Sequence, residues 1–319
     1  MGETLADVGE FGVIDRIKAV IGEPIGIDVG PGDDAAVFDH PGSTVASVDT
    51  VIEGRHFKPE WCDPQDIGRR ATAAAMADIA AMGGRPTGVL VSFGLPAETA
   101  VTWVEEVIEG AKAEADAAAA VVLGGDLARS ETVTVSVTAI GSVPQGKAVT
   151  RRGAQPGDVV ALAGRQGWAA AGLTVLSRGF RSPRSLVSAY QRPAPPYESG
   201  PDAAAAGATA MIDVSDGLLA DIRHIAVASD VLIELDAPAI PVADQLVETS
   251  SAFNVDPLTW VLAGGDDHSL IATFPAAARL PDMFTVIGRV EEAPEAGPGV
   301  NVDGRLWSGK GGGHDHFRG

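Results

Sequence analysis

Apolar positions recur along this chain in two rhythms, one of about 3.6 residues and one of two, and their succession lays out its elements. Between Gly2 and Gly22, the residues Phe11, Ile14, Ile17, Ala19 and Ile21 form a helical stripe, with Asp15, Arg16 and Lys18 outside it. A Gly- and Pro-rich loop from Gly22 to Gly32 follows. Gly32–Phe57 predicts two short strands joined by a turn, built on the apolar runs Ala35–Phe38 and Val45–Val48. Asp66–Met82 predicts a helix, nearly continuous alanine with Ile67, Met76 and Ile79, stopped by Gly83-Gly84. Gly88–Leu95 predicts a buried strand. Glu98–Ala120 predicts a helix with Trp103, Val107, Ile108 and Ala111 on one side and Glu105, Glu106 and Glu109 on the other. Val121–Asp126 is a short strand running into a glycine turn, and Thr132–Val143 alternates as a half-buried strand does.

Pro144–Gly157 carries Pro, Gly and the basic pair Arg151-Arg152, and marks a domain boundary. Beyond it, Asp158–Ala163 predicts a strand, Gly167–Arg178 a helix, Arg181–Pro201 a Pro- and Arg-rich connection, and Pro201–Ala210 an alanine-rich helix. Met211–Gly217 is a strand ending in two aspartates, Leu218–Ser229 a helix, and Val231–Leu235 a strand. The apolar run Leu258–Asp267 again ends in glycines and carboxylates. Ser269–Phe274 and Phe284–Val290 are further strands, and Ser308–Gly319 is a glycine-rich tail. Strands interleaved with helices throughout predict an α/β chain of two α/β domains, 1–145 and 146–319.

Composition narrows the partners. The 319 residues are 45% apolar, which allows a sizeable core, and the net charge is −20. Such a charge disfavours nonspecific binding to nucleic acid or to an anionic membrane. Cys62 is the only cysteine, so an intrachain disulfide and a cysteine-based zinc site are excluded, and the usage fits a reducing cytosol. The acidic start lacks a basic-then-apolar signal pattern, and no apolar run approaches the roughly 20 residues of a membrane span. The expected location is cytoplasmic.

The candidate chemistry is carboxylate chemistry. Asp33, Asp34, Asp49, Asp78, Asp126, Asp213, Asp216, Asp266 and Asp267 lie at strand or helix ends. Taken singly, Asp-Gly is turn chemistry and Asp216 is a helix cap. Taken together, carboxylates behind apolar leads sit where α/β active sites form, and a shared cluster of them is stable only around cations. Hard cations such as Mg²⁺ take oxygen ligands of this kind. No Walker sequence, G-x-S-x-G elbow or H-E-x-x-H occurs, and GPGDDA at 30–35 places two carboxylates where a dinucleotide would bring its pyrophosphate.

GDDAAV at 32–37, SVDT with EGRHF across 47–57, MADIAAMGG at 76–84, LGGD at 123–126, TRRGAQPGD at 150–158, IDVSDGL at 212–218, GGDD at 264–267 and DHF at 315–317 run in order over nearly the whole chain. Together they resemble the thiamine-monophosphate kinases, a family of the aminoimidazole-ribonucleotide-synthetase-like superfamily of ATP-dependent enzymes. The resemblance implies an N-terminal domain whose strands join a partner subunit's in a dimeric barrel. It implies a homodimer that phosphorylates thiamine monophosphate with ATP and several Mg²⁺ ions. It makes Asp34, Asp49, Asp78, Asp126, Asp213 and Asp216 magnesium ligands, with Ser47 and the adjacent Val48. Gly125, Asp126, Arg151 and Ser215 become ATP contacts. His56, Asp267, His314 and Phe317 become contacts to the substrate, and Asp49, Asp126, Asp213 and Arg151 carry catalysis. The chain has His268 where the family often has Tyr, and His314 where it often has an aromatic, so Phe317 or Trp307 is left to stack on the thiamine ring. Two other readings stay open: a different ATP-dependent synthetase of the superfamily, and a non-catalytic protein that binds ATP and Mg²⁺.

Overall fold

Side chains of a strand alternate between its two faces, and the first sheet of this protein is built on that rule. In a computed structural model of the chain, residues 2–23, 26–28, 30, 35–36 and 38–307 are described. The chain divides into two units, Met1–Ile79 with Arg85–Pro144 and Ala80–Gly84 with Gln145–Gly319. The first unit contains α1 (Leu5–Val8), α2 (Glu10–Ile21), β1 (Ser43–Ile52), α3 (Pro64–Ala81, whose last turn enters the second unit), β2 (Arg85–Leu95), α4 (Val101–Ala117), β3 (Val121–Arg129) and β4 (Thr134–Val143). Its sheet has the order β1-β4-β2-β3, with β2 and β3 parallel and the other pairs antiparallel.

On β4, Val135, Val137, Ala139 and Val143 are buried, while Thr134, Ser136, Thr138 and Ile140 are half-exposed. The buried face lies under α3: a Cβ added at Gly141 would fall 2.3 Å from the Ile79 side chain. The opposite face carries Thr44, Ala46, Val48 and Thr50 of the edge strand β1, all exposed, Val48 by 61%. Alanine makes α3 a helix that packs on nearly every side, with Ala71, Ala73, Ala75, Met76 and Ala77 all fully buried. By contrast α4 is amphipathic, burying Val101, Val104, Val107, Ile108 and Ala111.

The second unit contains β5 (Val159–Ala163), α5 (Trp168–Ser177), α6 (Arg184–Gln191), α7 (Ser199–Ala205), β6 (Ala210–Asp213), α8 (Leu218–Ser229), β7 (Val231–Leu235), α9 (Asp244–Phe253), α10 (Pro257–Ala263), β8 (Leu270–Phe274), β9 (Phe284–Glu292), β10 (Gly299–Val302) and β11 (Arg305–Leu306). The strands form a seven-stranded mixed sheet, β11-β10-β7-β9-β5-β8-β6. Strands β5, β6, β7 and β8 are buried along nearly their whole length, so their apolar runs are continuous, whereas the middle strand β9 is partly exposed. Period two then splits them between two cores. Val160, Leu162 and Ile271 join Leu218, Ile222 and Trp260 on one face. Ala161, Ala163 and Phe274 join Ala203 and Phe284 on the other, where the two phenylalanines meet edge to face at 5.4 Å.

Several expectations need correction. The connection Arg181–Pro201 holds the helix α6, which buries Leu186, Val187, Ala189 and Tyr190. The alanine-rich helix is α7, shorter and earlier than expected, because Gly207 at φ 87° ends its run. The apolar lead to GGDD is a helix, α10, and α9 precedes it. Of the strand expected at 35–38, residues 35, 36 and 38 are not in strand, and Val37 lies outside the described residues. The tail 308–319 lies outside them too. No helix among the described residues is long and apolar enough to cross a membrane.

Candidate active site

In the first unit, register decides which oxygens meet. Ser47 and Asp49 are two residues apart on β1, opposite the buried Ala139 and Val137 of β4, so both face the α3 side of the sheet. There the Ser47 hydroxyl donates to Asp78 Oδ2 at 2.5 Å. Asp78 is therefore a half-buried acceptor near the end of α3, and not a solvent-facing residue of its polar side. This donor set, two carboxylates and a hydroxyl, has the chemistry of a hard-cation site. The intervening Val48 points its side chain to the other face.

Asp126 behaves differently. On β3 it pairs with Ser92 of β2, which pairs with Ser136 of β4, which pairs with Thr50 of β1. That row belongs to the face away from α3, where Asp126 is exposed. The sheet thus separates Asp126 from Ser47, Asp49 and Asp78. Next to it, Gly125 has no room for a side chain, because a Cβ would lie 1.7 Å from the Val91 carbonyl oxygen. After β1, the Ile52 N–H donates to His56 Nδ1 at 2.9 Å. With Nδ1 accepting, the neutral ring carries its proton on Nε2. Asp34, His314 and Phe317 lie outside the described residues. Among the described residues, no three His, Cys, Asp or Glu side chains are grouped to hold a metal ion.

In the second unit the site residues crowd around the turn after β6. Asp213 ends that strand, 4% exposed, with Oδ2 3.0 Å from Nδ1 of the equally buried His268. The position where an aromatic was expected is thus an imidazole bonded to a proposed ligand. The loop Gly264–Ser269 is stitched to the turn by backbone bonds: Val214 N–H to the Ser269 carbonyl (2.8 Å), His268 N–H to Val214 (3.0 Å) and Asp266 N–H to Ser215 (2.9 Å). The approach is so close that a Cβ at Gly265 would fall 2.0 Å from the Ser215 oxygen. Asp266 and His268 accept left-handed conformations, φ 65° and 50°, to follow it.

Two further carboxylates anchor this region. Asp221, in the first turn of α8, accepts the N–H groups of Ser215, Asp216 and Gly217 on one oxygen, Oδ2, at 3.0, 2.9 and 3.0 Å. Burial pushes its pKa up to about 7, Asp213 adds to the rise, and the N–H groups oppose it. Asp267, 6% exposed, accepts the Ala169 N–H on Oδ1 at 2.9 Å at the start of α5. Its Oδ2 is buried without a hydrogen-bond partner. Burial lifts this carboxyl to about 7 as well, against the pull of the Ala169 and Gly167 amides. At the other end of α8, the Ser229 hydroxyl meets the N–H groups of Gly153 and Ala154 and the Arg151 carbonyl. The Arg151 side chain is exposed. Burial holds His224 below its usual range, the Arg151 charge lowers it further, and Asp216 opposes.

Sequence reasoning passed over Asp221, His268 as a partner of Asp213, and Ser229. Only Asp221 carried a signal, a carboxylate set among Leu218, Leu219 and Ile222 on the buried stripe of its helix.

Comparison with known proteins agrees with this architecture. Residues 32–143 match the N-terminal domain of the AIR synthase related proteins, and residues 155–301 match the C-terminal domain. A thiamine-monophosphate kinase of Mycobacterium tuberculosis is 44% identical over 308 residues, 96% of this chain and 91% of that protein. Among solved structures, the thiamine-monophosphate kinase of Stenotrophomonas maltophilia K279a aligns with a TM-score of 0.81 at 34% identity, covering 94% of this chain and 98% of that one. The structure described as AaThiL complexed with AMPPCP and TMP aligns at 0.80 and 32% identity, covering 99% and 100%. By both domain matches and near full-length similarity, the chain belongs to the AIR synthase related family and, within it, to the thiamine-monophosphate kinases.

Proposed function

We propose that this protein phosphorylates thiamine monophosphate to thiamine diphosphate, with ATP as co-substrate. The observation that carries this reading is the likeness, over 99% of the chain, to a structure holding AMPPCP and TMP together. A terminal oxygen of the acceptor phosphate attacks the γ-phosphorus, the bond to the bridging oxygen breaks, and ADP leaves. The acceptor's second pKa is about 6, so it is largely dianionic at neutral pH and needs no general base.

The difficulty is charge. Two unit charges 4 Å apart interact by roughly 4 kcal/mol at an effective dielectric of 20, and this chain adds a net charge of −20. We assign Asp34, Ser47, Val48 through its main-chain carbonyl, Asp49, Asp78, Asp126, Asp213 and Asp216 to several Mg²⁺ ions, with Asp126 on a different ion from Ser47, Asp49 and Asp78 across the sheet; the oxygen-only donors around Ser47 and Asp78 suit such a cation. Bound magnesium supplies neutralisation of the phosphate oxygens. The exposed Arg151 guanidinium adds positive charge at the transferring group, and Gly125 and Ser215 contact the nucleotide. His56, with Nε2–H as donor, His314 and Phe317 orient the thiamine phosphate. Asp267 fixes the loop that borders it. Residues 1–145 supply metal, nucleotide and dimer contacts, and residues 146–319 supply nucleotide and substrate contacts. The exposed face of the first sheet supports closure into a barrel with a second copy, and the buried single cysteine suits a cytoplasmic enzyme.

The test is ³²P transfer from ATP to thiamine monophosphate with and without Mg²⁺. Wild-type protein transfers phosphate only with the metal. Asp49→Ala and Asp213→Ala abolish turnover while circular dichroism stays native. Full turnover in either variant sinks the metal assignment, and no transfer by the wild type sinks the function.

A further inference from the structure

We propose that Asp221 is a positioning residue for the nucleotide–metal site. Its single oxygen Oδ2 gathers three consecutive N–H groups, from Ser215, Asp216 and Gly217, and sets the turn that presents the Ser215 and Asp216 side chains. The inference rests on the assignment of those two residues to ATP and magnesium.

A glycine turn running into a helix N-terminus is ordinarily an anion site, because its amides point outward to a phosphate. Here they do not. All three amides are turned inward onto a carboxylate that is 3% exposed, and the Asp221 N–H returns to the Gly217 carbonyl at 2.9 Å. The helix supplies its own acceptor. With the amides consumed, the turn offers a ligand only what projects outward: the exposed Ser215 and the half-buried Asp216. The far side of the turn is held independently, by Asp266 N–H on the Ser215 carbonyl and His268 N–H on that of Val214. Removal of Asp221 therefore frees one wall of the turn while the other stays fixed. The two outward side chains lose their common orientation, and the amides are released to compete for phosphate. At its opposite end α8 also holds the Arg151 segment through Ser229. One helix thus registers both segments assigned to the nucleotide in this unit.

The test is isothermal titration calorimetry of the full-length protein with Mg²⁺ and AMPPCP, which reads binding without turnover. Asp221→Asn keeps an acceptor oxygen in place and binds within about threefold of wild type, whereas Asp221→Ala and Asp221→Glu weaken binding by about tenfold or more, the range usual for residues that orient ligands. Asp221→Glu keeps charge and acceptor but displaces the oxygen by one methylene, so it serves if the alanine variant does not fold. Asp256→Ala, which removes the cap bonded to Leu258 N–H on α10, lowers Tm and leaves the Kd unchanged. Wild-type affinity in Asp221→Glu, or an equal loss in Asp256→Ala, overturns the proposal. A wild type that binds Mg²⁺–AMPPCP but transfers no phosphate to thiamine monophosphate refutes the function instead, and the Kd series still decides the role of Asp221.

Discussion

Asp267→Asn separates an anchoring carboxylate from a substrate ligand. In the native fold this carboxyl is 6% exposed, spends Oδ1 on the Ala169 N–H, and keeps Oδ2 buried without a hydrogen-bond partner. Burial moves its pKa from 3.8 to about 7. The sign of the linkage follows. Between pH 4 and 7 the folded protein holds a proton that the unfolded chain has released, so stability falls as pH rises through that interval and levels off above it. An increase of that size corresponds to an upper bound of about 4 kcal/mol, of which roughly 3 kcal/mol falls between pH 5 and pH 8. Asparagine keeps the oxygen that accepts from Ala169 and cannot ionise. Urea unfolding of apo protein, followed by circular dichroism, is therefore expected to show Asp267→Asn gaining on wild type by about 2–3 kcal/mol from pH 5 to pH 8, at equal m-values. A difference between the two proteins that stays constant over this range refutes the picture of a carboxylate held against its own solvation. The same variant is expected to leave the KM for thiamine monophosphate within about threefold of wild type, since the side chain acts through the loop it holds.

Two further outcomes test the first unit. Gly125→Ala places a methyl group 1.7 Å from the Val91 carbonyl, so β2 and β3 must part. A loss of about 3 kcal/mol in urea unfolding is expected, and wild-type stability would mean that β3 does not lie against β2 in this register. Ile140→Asp puts a charge at the middle of the sheet face that lies away from α3. Sedimentation velocity is expected to show a dimeric wild type and a monomeric variant with native circular dichroism, and a monomeric wild type ends the barrel proposal.

The sequence was most legible where one physical constraint acted alone. Thr132–Val143 alternates because one face of β4 is buried and the other is not, and the alternation read directly as a strand. Leu258–Ala263, a helix in the fold, carries no such signal, because a short run that is apolar at nearly every position has no period to distinguish helix from strand. The eight-residue α6 was hidden by the Pro and Arg residues that flank its amphipathic stripe. In the site, aspartates behind apolar leads were legible as a set, but their faces were not. Whether Asp126 shares a face with Asp49 depends on strand order and on the register shift between Val89 and Leu90, neither of which is local. Likewise the bond between His268 and Asp213 joins residues 55 apart.

Burial then sorts carboxylates that composition treats alike. Asp221 and Asp267 are almost fully buried, bond to backbone amides, and are pushed up to about 7. Asp126 is exposed and Asp216 half-buried, as a group must be to meet a soluble ligand. Asp213 belongs to neither set: it is as buried as the anchors, yet its partner is an imidazole instead of backbone amides. An imidazole on one carboxylate oxygen fixes the direction of the other, which is the arrangement that orients a metal ligand. A chain with an excess of acidic residues therefore does not direct them all at one cation cluster. Asp221 and Asp267 hold backbone segments instead, and the turn held by Asp221 is the one that carries Ser215 and Asp216.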